Sequence, residues 1–263
     1  MRRYLQLLAQ YFLQYAKVRL AYKGDFVVSI LTTLVATGFG IALVFILFQR
    51  APEIAGWRFH EILFLYGFGL IPLSLFNVVS INLYYFGESY IVEGKFDRVL
   101  LRPVHSLFQV MSEQFRLEAL SDAAVGLFIV GYTAGELGFH YGPKEWLFVA
   151  AAGFCGLLIY LAVFLMLTCV SFWVEDRVGI IPPVFTMLAF GRYPLNIYSP
   201  FLQFLLSWIV PFAFASFYPS TVLLERAEYQ SYVLLLPLVT LVFLTGAIML
   251  WNKGVANYSS TGT

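Results

Sequence analysis

The sequence predicts an all-α polytopic membrane protein. Six transmembrane helices are expected, with an amphipathic helix lying on the membrane before them and a short cytoplasmic helix between the second and third. Three observations carry this reading. Of 263 residues, 60% are hydrophobic and 12% charged, whereas soluble domains hold about 45–50% and ~25%. Apolar runs close to the ~20 residues that cross a bilayer recur along the chain. Once those runs are threaded, Lys and Arg fall mostly on one side. The whole chain, 1–263, reads as a single transmembrane domain.

Residues 1–23 come first. Arg3, Gln6, Gln10, Gln14 and Lys17 recur at three- or four-residue intervals on one helix face, and Leu5, Leu8, Phe12 and Tyr15 on another. That pattern gives a helix suited to the membrane surface. Lys17, Arg19, Lys23 and Asp25 interrupt any signal-peptide core, so cleavage is not expected. The spans expected are 26–48, 62–86, 120–139, 146–174, 201–224 and 232–251. Residues 179–198 are also apolar, but Pro182-Pro183 and Pro194 punctuate them. They are expected to form a short helix or re-entrant piece on the cytoplasmic side. Trp57, Trp146, Trp208 and Trp251 lie near span ends, as in an interfacial aromatic belt.

Orientation follows from the loops. With both termini inside, the cytoplasmic side holds Arg2, Arg3, Lys17, Arg19, Lys23, Lys95, Arg98, Arg102, Arg116, Arg177, Arg192 and Lys253. The outer side holds only Arg50, Arg58, Lys144 and Arg226. The bias places both termini in the cytoplasm; the membrane expected to hold the chain is the cell's inner (plasma) membrane.

Several function classes drop out. A net charge of +1 gives no field to attract nucleic acid. Gly87 and Gly94-Lys95 hint at a phosphate loop, but the spacing is wrong and Phe96 stands where a magnesium-binding Ser or Thr belongs. His60-Glu61 lacks the second histidine of a zinc protease, and no nucleophile elbow occurs. His60, His105 and His140 sit in separate loops, so no metal site or enzyme activity is expected. Cys155 and Cys169 share one apolar run and read as small hydrophobes.

The loop after the second span is the most informative stretch. Gly94 breaks the helix leaving the membrane, and Pro103 limits the next one to about 96–102. Phe96, Val99, Leu100 and Leu101 supply apolar faces, with Asp97, Arg98 and Arg102 exposed. Such a helix either docks a soluble partner or packs back on its own bundle, and the residues alone leave both readings open. Within the second span, Ser74, Asn77, Ser80 and Asn82 are candidates for a substrate path or for interhelical glue. Glu118 and Asp122 begin the third span near Arg116, where an N-terminal cap or ion pair is expected.

The stretch Glu93-Gly94-Lys95-Phe96-Asp97-Arg98-Val99-Leu100-Leu101-Arg102-Pro103 resembles the motif after span two in the permease subunits of bacterial type-2 ABC exporters. Phe190-Gly191-Arg192-Tyr193-Pro194, Ile209-Val210-Pro211-Phe212, Tyr218-Pro219 and Tyr258-Ser259-Ser260-Thr261-Gly262 resemble other marks of the same branch. The N-terminal helix resembles its connecting helix. The resemblance implies a cytoplasmic ABC ATPase partner, a second permease (related or identical) and contact with membrane lipid. It also implies that ATP and magnesium reside on the ATPase, with no cofactor on this chain. Glu93, Gly94, Phe96, Asp97, Arg98, Leu101 and Arg102 become ATPase-coupling residues, with Phe96 the apolar anchor and the arginines its rim. A membrane scaffold or assembly factor without transport is the alternative.

Overall fold

The computed structural model describes residues 2–174 and 181–259. Arg177 and the stretch from Ser260 to Gly262, both used above, lie outside the described residues. The order is α1 (Arg2–Ala21), α2 (Lys23–Phe48), a two-stranded hairpin of β1 (Glu53–Ile54) and β2 (Trp57–Arg58), and α3 (Phe59–Val79). Then come α4 (Lys95–Leu100), α5 (Ser106–Ser112), α6 (Leu120–Glu136), α7 (Pro143–Cys169) and α8 (Ile181–Met187). Two half-helices, α9 (Pro200–Ile209) and α10 (Phe212–Leu223), precede α11 (Leu236–Asn257). The all-α polytopic expectation holds: α2, α3, α6, α7 and α11 are long and apolar enough to cross a membrane.

Local chemistry sets the boundaries. The Glu61 carboxylate accepts the Arg58 backbone N–H at 2.8 Å, and Glu145 accepts that of Gly142 at 2.7 Å. Each satisfies an otherwise orphaned donor at the start of a span. Gly94 takes the left-handed conformation, φ 69°, that ends the helix running out of the bundle and starts α4.

α3 is the central post. In its most apolar window 78% of residues are buried, whereas in that of α2 the figure is 11%. Gly67 and Gly126 bring α3 and α6 into backbone contact: a Cβ on Gly126 would fall 2.6 Å from the Gly67 carbonyl. Close approach through small residues is how helices gain dispersion energy where water supplies no driving force.

Two expectations are corrected here. Residues 181–197 do not stay at one end. The Phe185 ring meets Tyr84, beyond the far end of α3, at 5.7 Å. Arg192 leans on Gly69, midway along α3, and Asn196 donates to the Ala55 carbonyl of the hairpin at 3.0 Å. The segment therefore runs the full length of α3. Prolines cut its helix short, but 3₁₀ turns and extended residues rise faster than an α-helix, so 17 residues cover about 30 Å.

The run expected as the fifth span, 201–224, is instead bent by 69° where α9 meets α10, at Val210-Pro211. It starts just after Asn196 on the hairpin, and its far end returns there, since Arg226 donates to the Gly56 carbonyl at 3.1 Å. α9 and α10 thus form a re-entrant pair dipping from the hairpin end. Five helices are long and apolar enough to cross by themselves, and 181–197 runs beside α3 from one end to the other. Arg192 moves from a loop into the bundle.

The tryptophan belt also divides. Trp146 and Trp208 are exposed, while Trp57 and Trp251 are buried and hydrogen-bonded, to Asn196 and Ser106.

Candidate coupling surface and intramembrane cavity

α4 has two faces. Phe96 is 0% exposed, and its ring lies 5.0–6.0 Å from those of Phe86, Phe172, Trp251 and Tyr258. These rings come from the extension of α3, the end of α7 and the end of α11, so α4 is keyed to three elements at once. Val99 is buried beside it, and Tyr258 donates to the Asp97 carboxylate at 3.0 Å. The opposite face is bare. Leu101 is 84% exposed, with Leu100, Arg98 and Arg102 exposed around it. Glu93 is exposed too and pairs with Lys95 at 2.8 Å.

Phe96 is therefore not the projecting anchor that the sequence suggested. A helix of about one and a half turns cannot turn Phe96 and Leu101 the same way, and the aromatic environment takes the larger ring. The helix packs back on its bundle through Phe96 and Val99 and presents Leu101 outward.

Beside α4 a groove of 420 Å³ is lined by Tyr90, Lys95, Arg98, Arg102, Gln109 and Glu113, among others. Tyr90 donates a short hydrogen bond to Glu113. Burial, then that carboxylate, hold the Tyr90 phenol well above its usual range. Gln109 ties the loop back, donating to the Val99 and Val104 carbonyls at 3.0 and 2.7 Å.

α1 lies at the same end. Tyr4 and Phe12 set their rings edge-on against Phe108 and Phe115, while Leu5, Leu13 and Val18 remain exposed. The Glu118 carboxylate, buried, receives Arg19 at 3.4 Å and Arg116 at 3.6 Å. The expected ion pair is present and reaches further than expected, fastening α1 to the start of α6.

A second cavity, of 600 Å³, lies within the span layer between α2, α3, α6 and residues 185–192. Thr37, Tyr66, Asn77, Arg116, Asp122 and Arg192 give it polar groups, and Leu70, Leu73 and Leu188 give it apolar wall. The Thr37 hydroxyl donates a short bond to Asp122, and Tyr66 donates to the Thr37 carbonyl at 3.2 Å. The Arg192 guanidinium stacks over the Tyr66 ring, 5.3 Å from its centre. A side chain at Gly69 would strike Arg192, its Cβ falling 2.7 Å from Cγ, so the glycine makes room for the cation.

Of the four polar residues singled out in the second span, only Asn77 reaches this cavity. Ser74 is fully buried and its hydroxyl has no partner among the described residues. Ser80 is buried at the end of α3. Asn82 donates to the Val110 carbonyl at 2.7 Å, which is interhelical glue.

A family model described as "ABC-2 family transporter protein" matches residues 34–262, nearly the whole chain. The chain belongs to that family. No curated protein and no solved structure matches it. As an ABC-2 member it is a multi-pass membrane permease subunit of an ABC transporter. Of the two opposed charges in this cavity, Arg192 was expected in a loop, and Asp122 was expected first as a cap or ion pair. A signal existed for each: an arginine inside an apolar run, and a carboxylate one turn inside a span.

Proposed function

We propose that this permease moves its substrate outward using ATP hydrolysed on a separate cytoplasmic ABC ATPase. Both termini and α4 face the cytoplasm, and a second permease, related or identical, completes the unit. The observation that carries the reading is the two-faced α4: an exposed Leu101 with Arg98 and Arg102 beside it, backed by Phe96 locked among α3, α7 and α11. A short helix that merely closed a loop would not need an exposed leucine flanked by cations. With Arg192 in the bundle, ten loop Lys and Arg among the described residues lie on the terminal side against four on the hairpin side, and the orientation keeps its support.

In this reading ATP draws two ATPase subunits together, and the α4 helices docked on them move as well. Phe96 passes the displacement to the ends of α3, α7 and α11. α3 carries Tyr66 and Asn77, so the cavity changes shape as its post moves. ATP shifts the balance from inward-open to outward-open only by binding the closed arrangement better. ATP and magnesium belong to the ATPase.

The test is co-purification with a cytoplasmic ABC ATPase, together with transport, for variants matched in membrane content. Leu101→Ala should weaken association about tenfold, a loss typical of an apolar anchor at the centre of an interface. Arg98→Ala should cost less and mainly at low salt, because exposed charges are screened. Full ATPase binding and transport by Leu101→Asp would rule out this face as the docking surface.

A further inference from the structure

Resting on the permease reading, we propose that the cavity between α2, α3 and α6 takes an anionic amphiphile as the transported class, with Arg192 holding its headgroup. The argument starts from charge. Arg192 sits at the level of Gly69, halfway along the 21-residue α3, and so at the depth where an ionised side chain is most costly. Among the described residues no carboxylate oxygen comes within ion-pair distance of it, and its Nε is buried without a hydrogen-bond partner. Stacking on Tyr66 steadies the guanidinium plane and sets the Tyr66 hydroxyl beside it, but Nε keeps no acceptor among the described residues. An intramembrane cation left short of acceptors is a binding group awaiting one.

The neighbours refine the class. Asp122 lines the same cavity, but its carboxylate is engaged by the Thr37 hydroxyl, and Arg116 adds a second cation to the lining. Arg116 is already paired with Glu118 at 3.6 Å, so Arg192, with its unpartnered Nε, carries the attraction for an anion. Guanidinium donors in a fork match phosphate, carboxylate or sulfonate oxygens. The remaining wall is Leu70, Leu73 and Leu188, and the outer wall is α2, the span least covered by protein. Polar head and apolar tail would both be matched, and a ligand could enter from the lipid side.

The experiment uses the full-length chain with its ATPase, in neutral detergent. Native mass spectrometry measures binding of phosphatidylglycerol and phosphatidylcholine with identical acyl chains, with inorganic phosphate as competitor. The wild type should hold phosphatidylglycerol about tenfold more tightly than phosphatidylcholine, in line with one charge-assisted contact. R192Q should erase that preference without changing phosphatidylcholine binding, and R192K should keep part of it. D122N, which removes the internal negative charge, should tighten phosphatidylglycerol a few-fold and leave phosphatidylcholine alone. Turnover of ATP by the complex should rise with phosphatidylglycerol, and R192Q should lose that rise.

Equal binding of the two lipids, or a preference that survives R192Q, overturns the assignment. Competition by free phosphate as strong as by the lipid would make this an inorganic-anion subsite and overturn the amphiphile. Binding that depends on Arg192 but leaves turnover unmoved would make the ligand a structural lipid and overturn the substrate class. If R192Q fails to fold, D122N still decides: no tightening toward phosphatidylglycerol sinks the proposal. Loss of lipid preference with the ATPase still bound counts against this inference alone, while loss of the ATPase with preference intact counts against the permease reading.

Discussion

The two ends of the bundle are held together by different chemistry. At the end where the termini lie, five rings from Phe86, Phe96, Phe172, Trp251 and Tyr258 form a contiguous cluster. At the hairpin end, Arg226 reaches the buried Glu61 at 2.6 Å, donates to the Gly56 carbonyl and lies 4.7 Å above the Trp57 ring. Trp57 in turn donates to Asn196. Apolar burial of the rings is non-directional and resists separation in any direction, so the cluster transmits a push. A few directional polar contacts hold firmly in one geometry and let go once it is lost, and water can take over each broken bond. The first arrangement suits a joint and the second suits a latch on the re-entrant pair.

The comparison breaks most decisively at Phe96. Phe96→Ala removes a fully buried ring from the joint and should destabilise the protein by about 3–5 kcal/mol, with low folded yield in membranes. Thermal unfolding in detergent measures it. A variant as stable as wild type, defective only in ATPase binding, would mean that Phe96 points outward after all and that the joint is not a joint.

The latch should give a smaller effect. Arg226→Gln leaves the buried Glu61 carboxylate with the Arg58 backbone N–H and, as its one cation among the described residues, the Arg58 side chain 3.8 Å away. Losing a charge-assisted contact of this kind costs about 2 kcal/mol. The change should act locally: introduced cysteines on α10 should react faster with a membrane-impermeant thiol reagent, while those beside α4 keep their rates. Equal acceleration at both ends would show that Arg226 supports the whole bundle rather than a latch.

How far the sequence could disclose these ends follows from the same physics. Length and hydropathy suffice where a helix is continuous, which is why α2, α3, α6, α7 and α11 were legible. They fail at 181–223, because prolines break one crossing into short turns and leave a re-entrant pair looking like a span. Only the pairing of Asn196 with Ala55 and of Arg226 with Gly56 tells them apart, and such long-range contacts have no local signature. The stretch proposed for coupling was legible by its Gly94 and Pro103 boundaries. Which of its apolar residues faced inward was not, since a helix this short has too few turns to define a stripe. The cavity was half legible: Asn77 reads as a costly polar group within a span, whereas Arg192 looked like loop charge until its segment proved to cross.

The smallest effect concerns how the tail is fastened to the joint. Tyr258 follows α11 and donates to Asp97 of α4, so removing its hydroxyl should cost about 1 kcal/mol, the usual net worth of such a bond. The loss should depend on pH in a definite direction. Burial, then the hydrogen bond to Asp97 and that residue's charge, raise the Tyr258 phenol to about 12, from ~10 in an unfolded chain. The folded state thus favours the protonated phenol. Its contribution is fully present below the unfolded value of ~10 and is lost as pH rises through about 12. Tyr258→Phe cannot titrate there. The stability gap between wild type and Tyr258→Phe should stay constant up to pH ~9, then narrow and vanish between ~10 and 12. Thermal unfolding followed by tryptophan fluorescence, repeated across that range, reads the gap directly. A gap unchanged at the alkaline end, or none at neutral pH, would mean that ring contacts alone hold the tail and that the hydroxyl contributes nothing to the joint.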